Sequence, residues 1–227
     1  MKQCTKCKEV KSLENFSPKK GACKICRTTQ TKIYAKNNST KVKLCSKKKH
    51  TRNVNFVYQY KLNKICVDCN NQYHPQILHF DHVSNNKIKC VSKMLVSSSI
   101  EKIQNEINKC ELVCTNCHRH RTFIRSKSQK EFLKKKSKTP TRDKLQKIIF
   151  EIKESQPCFV CNKFYKHYQM DFDHIDRETK SHSISYMISY QFSLDEILLE
   201  TKKCNLLCAN CHANRTIIQL NQTKNII

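Results

Sequence analysis

Apolar residues recur every three or four positions in two stretches of the chain, which is the spacing of one face of an amphipathic helix. The two stretches cover residues 54–62 and 145–152. Each is followed by a short apolar run, ILHFDH at 77–82 and MDFDH at 170–174, and runs of this length predict strands. The hydrophobic pattern therefore predicts a helix followed by a strand at two places along the chain.

A further helix is predicted downstream of each strand. Ser98 stands three residues before Glu101, and Ser193 stands three residues before Glu196, which is the spacing of a capping box at the start of a helix. One face of each predicted helix is apolar, formed by Ile100, Ile103 and Ile107 and by Leu194, Ile197 and Leu198. A last short helix is predicted after the cysteine pair that follows.

These two sets of elements belong to an internal repeat. A Cys-x-x-Cys pair followed by Asp-His occupies residues 66–82 and recurs 92 residues later at 158–174. The motif KCELVCTNCH at 109–118 recurs as KCNLLCANCH at 203–212, at an offset of 94. Agreement beyond the cysteines, as between Glu106 and Glu200, indicates a duplicated module. We call residues 53–126 the first copy and residues 145–220 the second copy.

The cysteine spacing predicts metal sites. Two Cys-x-x-Cys pairs supply the four thiolates of one closed tetrahedral zinc site, so six pairs predict three structural zinc ions. Redox pairs, or disulfides in a secreted scaffold, are the alternative. The sequence has no apolar leader at its start and no apolar run of roughly 18 or more residues, so we expect a reducing intracellular compartment rather than secretion. The predicted ligands are Cys4, Cys7, Cys23, Cys26, Cys66, Cys69, Cys114, Cys117, Cys158, Cys161, Cys208 and Cys211.

The predicted fold class is therefore a set of small zinc-stabilised α+β modules. Domains of this size bury little apolar area, and structural zinc would supply the missing stability. The predicted organisation is an N-terminal zinc knuckle, a basic linker, the first copy, a second basic linker, the second copy and a tail. The corresponding ranges are 1–35, 36–52, 53–126, 127–144, 145–220 and 221–227.

The charge of the chain predicts a polyanionic partner. It holds 44 Lys and Arg against 18 Asp and Glu, a net charge of +26. Such an excess is typical of proteins that bind nucleic acid or an anionic membrane surface. We favour nucleic acid, with DNA ahead of RNA, and expect no membrane. A solvated charged linker is the alternative for the two basic segments. The predicted contacts to nucleic acid are Lys47, Lys48, Lys49, Lys134, Lys135, Lys136 and Lys138.

Each copy also carries residues suited to phosphodiester chemistry. The single glycine excludes phosphate-binding loops of the Walker and Rossmann types. A zinc ion with four thiolates cannot activate water, so the aspartate and the two histidines of each copy would have to build a separate, open metal site. A carboxylate can hold Mg²⁺, and a neutral imidazole can accept a proton from water. These residues are Asp81, His82 and His118, and Asp173, His174 and His212.

The ordered motifs resemble the HNH endonuclease domains of the ββα-metal fold. The resemblance rests on FDH at 80–82 and 172–174 together with the two ten-residue cysteine motifs. The N-terminal knuckle is similar to the one that precedes many phage HNH and recombination endonucleases. The family's middle asparagine is replaced by Lys109 and Lys203.

The resemblance implies a role for each residue of the set. It implies cleavage of DNA with Mg²⁺ or Mn²⁺. The implied general bases are His82 and His174. The implied ligands of the catalytic metal are Asp81, His118, Asp173 and His212. Two alternatives stay open: a non-catalytic nucleic-acid-binding component of a large particle such as an organellar ribosome or a virion, and a zinc-bearing transcription regulator.

Overall fold

The computed structural model describes residues 1–84, 86–133 and 140–224. The described chain is a small mixed α+β protein that divides into two compact units. The first unit comprises Met1–Phe56 and Ser92–Ile103, and the second comprises Val57–Val91 and Gln104–Ile227. The predicted nucleic-acid contacts Lys134, Lys135, Lys136 and Lys138 lie outside the described residues, as does part of the second basic linker.

The first unit begins with a short hairpin and continues into two long helices. Strands β1 (Lys2–Gln3) and β2 (Val10–Lys11) pair antiparallel. Helix α1 spans Lys24–Asn37 and helix α2 spans Ser39–Lys61. The predicted basic linker 36–52 is therefore helical almost throughout. It has no glycine or proline to break a helix, and its lysines have good helix propensity.

The elements of the first copy are β3 (Leu78–His82), α3 (Val91–Met94), α4 (Ile100–Ile107), β4 (Cys110–Cys114) and α5 (Thr115–Leu133). The predicted strand and helices occur in the predicted order, but α3 and β4 were not predicted, and α5 is longer than the short helix expected, at 19 residues. Strands β3 and β4 pair antiparallel, with Leu78 opposite Cys114 and His82 opposite Cys110. Helix α4 starts at Ile100, so the side chain that accepts a first-turn N–H, from Lys102, belongs to Ser99 rather than to the predicted Ser98.

The second copy repeats this order within the second unit. Its elements are α6 (Pro140–Ser155), β5 (Met170–His174), α7 (Ile184–Ser189), α8 (Leu194–Thr201), β6 (Cys204–Cys208) and α9 (Ala209–Lys224). Strands β5 and β6 pair with Met170 opposite Cys208 and His174 opposite Cys204. This register equals that of β3 and β4 after the two sequence offsets. The capping box predicted at Ser193 and Glu196 is present.

The apolar core is divided into several small clusters. One cluster gathers Leu145 and Ile149 of α6 with Ile197 of α8, which confirms the apolar faces predicted for those two helices. A second cluster surrounds the cysteines of the second copy. A third surrounds the cysteines of the first copy and includes Ile217 from α9, so the two copies share a core in the second unit. None of the helices in the described residues combines the length and apolar character required to cross a membrane.

Tetrathiol groups and repeated carboxylate–imidazole pairs

The twelve predicted cysteines form three groups of four. Within each group the sulfur atoms lie within 4.8 Å of one another, a donor set that suits a tetrahedral zinc ion. In every Cys-x-x-Cys pair the first cysteine is buried and the second is half-buried. The groups are Cys4, Cys7, Cys23 and Cys26; Cys66, Cys69, Cys114 and Cys117; and Cys158, Cys161, Cys208 and Cys211. The chain therefore carries three four-thiol groups that could each bind zinc.

A local turn shapes the leading pair of each group. The residue after the second cysteine has a positive φ: 63° at Lys8, 55° at Asn70 and 52° at Asn162. In each turn the N–H of that residue donates to the carbonyl of the first cysteine at 2.9 Å. Asparagine tolerates this left-handed conformation better than most residues. The asparagine after the pair is thus a sequence signal for the knuckle turn in both copies.

Two asparagines connect the metal groups of the two copies. The N–H of Asn116 donates to Oδ1 of Asn210 at 3.1 Å, and the N–H of Asn210 donates to Oδ1 of Asn116 at 3.3 Å. The Asn210 side chain also hydrogen-bonds Cys114, and the Asn116 side chain hydrogen-bonds Cys208. Equivalent residues that bond one another reciprocally are the sign of a two-fold relationship. The copies are therefore arranged as a pseudo-symmetric pair.

The predicted carboxylate and second histidine come together in both copies. Asp81 on β3 lies with Oδ1 at 3.6 Å from Nε2 of His118 on α5. Asp173 on β5 lies with Oδ1 at 3.7 Å from Nε2 of His212 on α9. Each pair forms because the strand that carries the aspartate pairs with a second strand, and the helix that carries the histidine continues directly from that second strand. The structure thus brings together two of the three predicted site residues in each copy.

The third predicted residue points to the other side of the strand. Side chains alternate across a regular strand, and β3 and β5 are regular at their ends. His82 and His174 accordingly lie opposite the aspartates and are largely buried. Nε2 of His82 lies 2.9 Å from Oε1 of Glu106, and Nε2 of His174 lies 2.9 Å from Oε1 of Glu200. No contact joins either histidine to its neighbouring aspartate in the described residues.

The glutamates are the residues whose role the sequence did not suggest. Oε1 of Glu200 accepts from the N–H groups of Ser181 and His182 as well as from His174, and Oε2 accepts from Lys203. Burial would raise the pKa of Glu200, but these hydrogen bonds outweigh burial and lower it to about 2. Glu106 has an equivalent set of donors, and its pKa is also about 2. The occurrence of glutamate at this position in both copies was the sequence signal that could have indicated their role.

The two aspartates differ in their arginine partners. In the first copy, Oδ1 of Asp81 accepts from Arg125 at 2.7 Å and Oδ2 accepts from Arg121 at 3.2 Å. Arg121 is itself held by Asp68 and Glu111. The Asp81 side chain is 6% exposed. Both of its oxygens are therefore occupied and covered.

In the second copy the corresponding carboxylate is more open. Oδ2 of Asp173 accepts from Arg215 at 2.8 Å, but the position of Arg125 is taken by Gln219, whose Oε1 accepts from Arg177. The Asp173 side chain is 23% exposed. The Oδ1 atom of Asp173 therefore faces His212, and no arginine in the described part of the chain is bonded to that atom.

A second difference lies two residues earlier on each strand. His79 stacks on His118 with ring centroids 5.3 Å apart, whereas its counterpart Asp171 accepts a hydrogen bond from His212 at 3.0 Å. Burial lowers the pKa of His118, and the hydrogen bond to Asp171 raises the pKa of His212. Asp171 is also bound through both oxygens by Arg119 of the first copy, at 2.9 and 2.8 Å.

A cavity of about 390 Å³ lies in the second unit, and His174 and His212 are among the residues that line it.

The predicted nucleic-acid contacts of the first unit differ in exposure. Lys47 and Lys48 are exposed on α2, whereas Nζ of Lys49 donates to the carbonyl of Ser97 at 2.5 Å. Outside the three thiol groups, no three potential ligand atoms of the described residues lie within 4.8 Å of one another.

The donor chemistry allows one test of the implied catalytic metal. Mg²⁺ and Mn²⁺ take oxygen-rich coordination that includes water and phosphate, so one carboxylate and one imidazole suffice as protein ligands. Asp173 and His212 fit this requirement. Asp81 fits poorly, because both of its oxygens already accept from arginines. No protein-family model matches the chain, and no curated protein or solved structure shows significant similarity to it.

Proposed function

We propose that this protein binds nucleic acid and that its second copy hydrolyses phosphodiester bonds with a divalent cation, in the manner of an HNH endonuclease. The observation that carries the proposal is the Asp173–His212 pair. Its open Oδ1 faces an imidazole nitrogen at 3.7 Å in a chain with a net charge of +26. A carboxylate and an imidazole at the surface of a strongly basic protein are suited to a cation and a phosphate.

The repeated architecture supports the assignment of the HNH-like fold. In each copy a strand pair with identical register is followed directly by a helix, and a four-thiol group lies where strand and helix meet. We assign zinc to all three thiol groups, because four thiolates in this arrangement form its usual structural site. The zinc ions are structural, since each would be saturated by its cysteines.

In the second copy Asp173 and His212 would hold the divalent cation, which when bound would act as a Lewis acid on the scissile phosphate. The general base would be His174, which lies on the opposite side of β5 from Asp173 but lines the same cavity as His212. Glu200 is ionised at neutral pH because its pKa is about 2, so it can only accept from Nε2 of His174. That hydrogen bond fixes the tautomer and leaves Nδ1 able to accept a proton from water.

The first copy is better suited to a non-catalytic role in binding. The specific observation is the pair of arginines that occupies both oxygens of Asp81. With that carboxylate neutralised, the half-exposed Arg125 presents a guanidinium group beside it, and guanidinium groups bind phosphate well. The second candidate function follows from this role: a protein whose two copies both bind nucleic acid without cleaving it, as a component of a large particle.

Plasmid cleavage tests the proposal. The zinc-loaded protein is incubated with supercoiled DNA and Mg²⁺ or Mn²⁺, and nicked and linear products are separated. We expect nicking by the wild-type protein, loss of nicking in Asp173→Asn and in His174→Ala, and retention in Asp81→Asn and in His82→Ala. If the wild-type protein binds DNA or RNA but cleaves neither, the proposal of catalysis is wrong and the binding role stands. Unchanged cleavage in Asp173→Asn would exclude the assigned site.

A further inference from the structure

The cavity beside His174 has the size and lining of a small-ligand site. Its volume of about 390 Å³ falls within the range of about 300–1,000 Å³ that such sites occupy. It lies wholly within the second unit, and residues of α6, β5 and α7 line it. Ile149, Ile184 and Ile188 provide buried apolar surface. The cavity therefore offers apolar walls to a ligand.

The charges around the cavity favour an anion. Four cationic side chains line it, Arg119, Arg142, Lys153 and Lys180, against one carboxylate, Asp171. That carboxylate is already bound through both oxygens by Arg119. Nζ of Lys153 donates to the carbonyl of Met170 at 2.7 Å. After these contacts the rim still has an excess of positive charge.

Two of the four cations have no partner among the described residues. Arg142 and Lys180 are exposed, and neither has a hydrogen bond or an ion pair within the part of the chain that the structure describes. Cations at the mouth of a cavity, without internal partners, are available to an incoming phosphate. Because both are exposed, neither is needed for the core.

An aromatic ring provides the remaining element of a nucleotide site. Phe150 of α6 lines the cavity and is 37% exposed. It stacks on His167 with ring centroids 3.9 Å apart. A ring supported in this way on one side can stack on a base, and stacking on aromatic side chains is a general mode of single-strand binding.

From these contacts we infer that the cavity holds one unpaired nucleotide, with its phosphate between Arg142 and Lys180 and its base against Phe150. A base inside a duplex cannot enter a cavity of this kind, so the nucleotide belongs to a single strand, a strand end or a base turned out of its helix. The inference rests on the proposed function in one respect: the cavity shares His174 and His212 with the assigned cleavage site. It specifies the substrate of that site as unpaired nucleic acid.

Equilibrium binding without cleavage tests this inference. The zinc-loaded protein, without added Mg²⁺ or Mn²⁺, is titrated with inorganic phosphate, a deoxynucleoside 5′-monophosphate, a short single-stranded oligonucleotide and a blunt duplex of the same length. The cavity variant is Arg142→Gln with Lys180→Gln. The control is Lys163→Gln with Lys202→Gln, which removes the same charge from exposed positions outside the cavity lining. A third variant, Phe150→Leu, removes the aromatic ring.

We expect the cavity variant to lose about ten- to a hundred-fold in affinity for the mononucleotide and the single strand relative to the control, because two charge-assisted contacts disappear. Phe150→Leu should weaken mononucleotide binding and leave phosphate binding unchanged. Single-strand binding with no mononucleotide binding assigns the ligand to a nucleotide within a strand, whereas comparable binding of both assigns it to any nucleoside phosphate. Equal affinities in the cavity and control variants overturn the inference. If the cavity variant loses affinity as expected but the wild-type protein does not cleave DNA, the proposed catalysis is wrong and the nucleotide site stands.

Discussion

Asn210→Ala is expected to weaken the metal group of the other copy. The substitution removes Oδ1, which accepts the N–H of Asn116 at 3.1 Å, and the side-chain amide, which hydrogen-bonds Cys114. Burial raises the pKa of the Cys114 thiol, and the amide opposes that rise. Asn116 is 4% exposed, so water cannot readily replace the lost acceptor. A substitution in the second copy should therefore destabilise the metal-bound thiol group of the first copy.

The magnitude follows from the two lost contacts. A buried N–H left without a partner costs about 1–3 kcal/mol, and a hydrogen bond to a charged group contributes about 1.5–3 kcal/mol. Partial relaxation of the two helices offsets some of this loss. We expect the free energy of unfolding to fall by about 3 kcal/mol. Metal release from the first copy should accelerate by at least about ten-fold, since each 1.4 kcal/mol corresponds to a factor of ten.

The assay needs to distinguish the three metal groups. Cadmium replaces zinc at thiolate sites, and NMR of the cadmium-loaded protein resolves one resonance for each group. The resonance of the group at Cys66, Cys69, Cys114 and Cys117 should shift and lose intensity first when a chelator is added. Asn214→Ala is the matched control, because Asn214 is exposed one turn along the same helix. If Asn210→Ala destabilises only the metal group of its own copy, the reciprocal asparagine contact does not couple the two copies.

Three further predictions concern stability and binding. Glu200→Gln should lower the free energy of unfolding at pH 7 by about 2–3 kcal/mol, because the charge that accepts from His174 and Lys203 is lost. Ionised Glu200 stabilises the fold above its unfolded pKa of 4.5, and this contribution is lost as pH falls toward its folded pKa of about 2. The deficit of the variant, measured by urea unfolding, should therefore be constant down to about pH 5 and narrow below it. Strong zinc chelators under reducing conditions should unfold the protein, with loss of helical circular dichroism, because structural zinc contributes an apparent ~10–16 kcal/mol; resistance to chelation would contradict the zinc assignment. Affinity for DNA should fall steeply between low and physiological salt, and Lys47→Gln with Lys48→Gln should reduce that slope, since each phosphate contact releases counterions.

The pattern of the chain predicted the parts of the fold that are local or repeated. The four-thiol groups followed from cysteine spacing, and the apolar face of residues 145–152 lies in the core of the second unit as expected. The strand registers agree with the two repeat offsets. Each of these features is set by residues close in sequence or by identical motifs in the two copies.

The contacts that the sequence left undetermined link distant positions. His174 turns toward Glu200, 26 residues away, because strand alternation places it opposite Asp173. The reciprocal Asn116–Asn210 contact depends on how the copies pack, which neither copy encodes alone. The difference between the two aspartates arises from replacements at several separate positions, such as Gln219 for Arg125. Only the assembled structure shows that these replacements surround the same carboxylate.

Binding of Mn²⁺ reports directly on the cation site assigned to Asp173 and His212, because it does not require cleavage. The zinc-loaded protein is titrated with Mn²⁺, and free Mn²⁺ is measured by electron paramagnetic resonance. We expect one bound Mn²⁺ per chain, lost in Asp173→Asn and retained in Asp81→Asn. Loss of the bound ion in Asp81→Asn with retention in Asp173→Asn would contradict the assignment of the cation to Asp173 and His212, as would the absence of a bound ion in the wild-type protein.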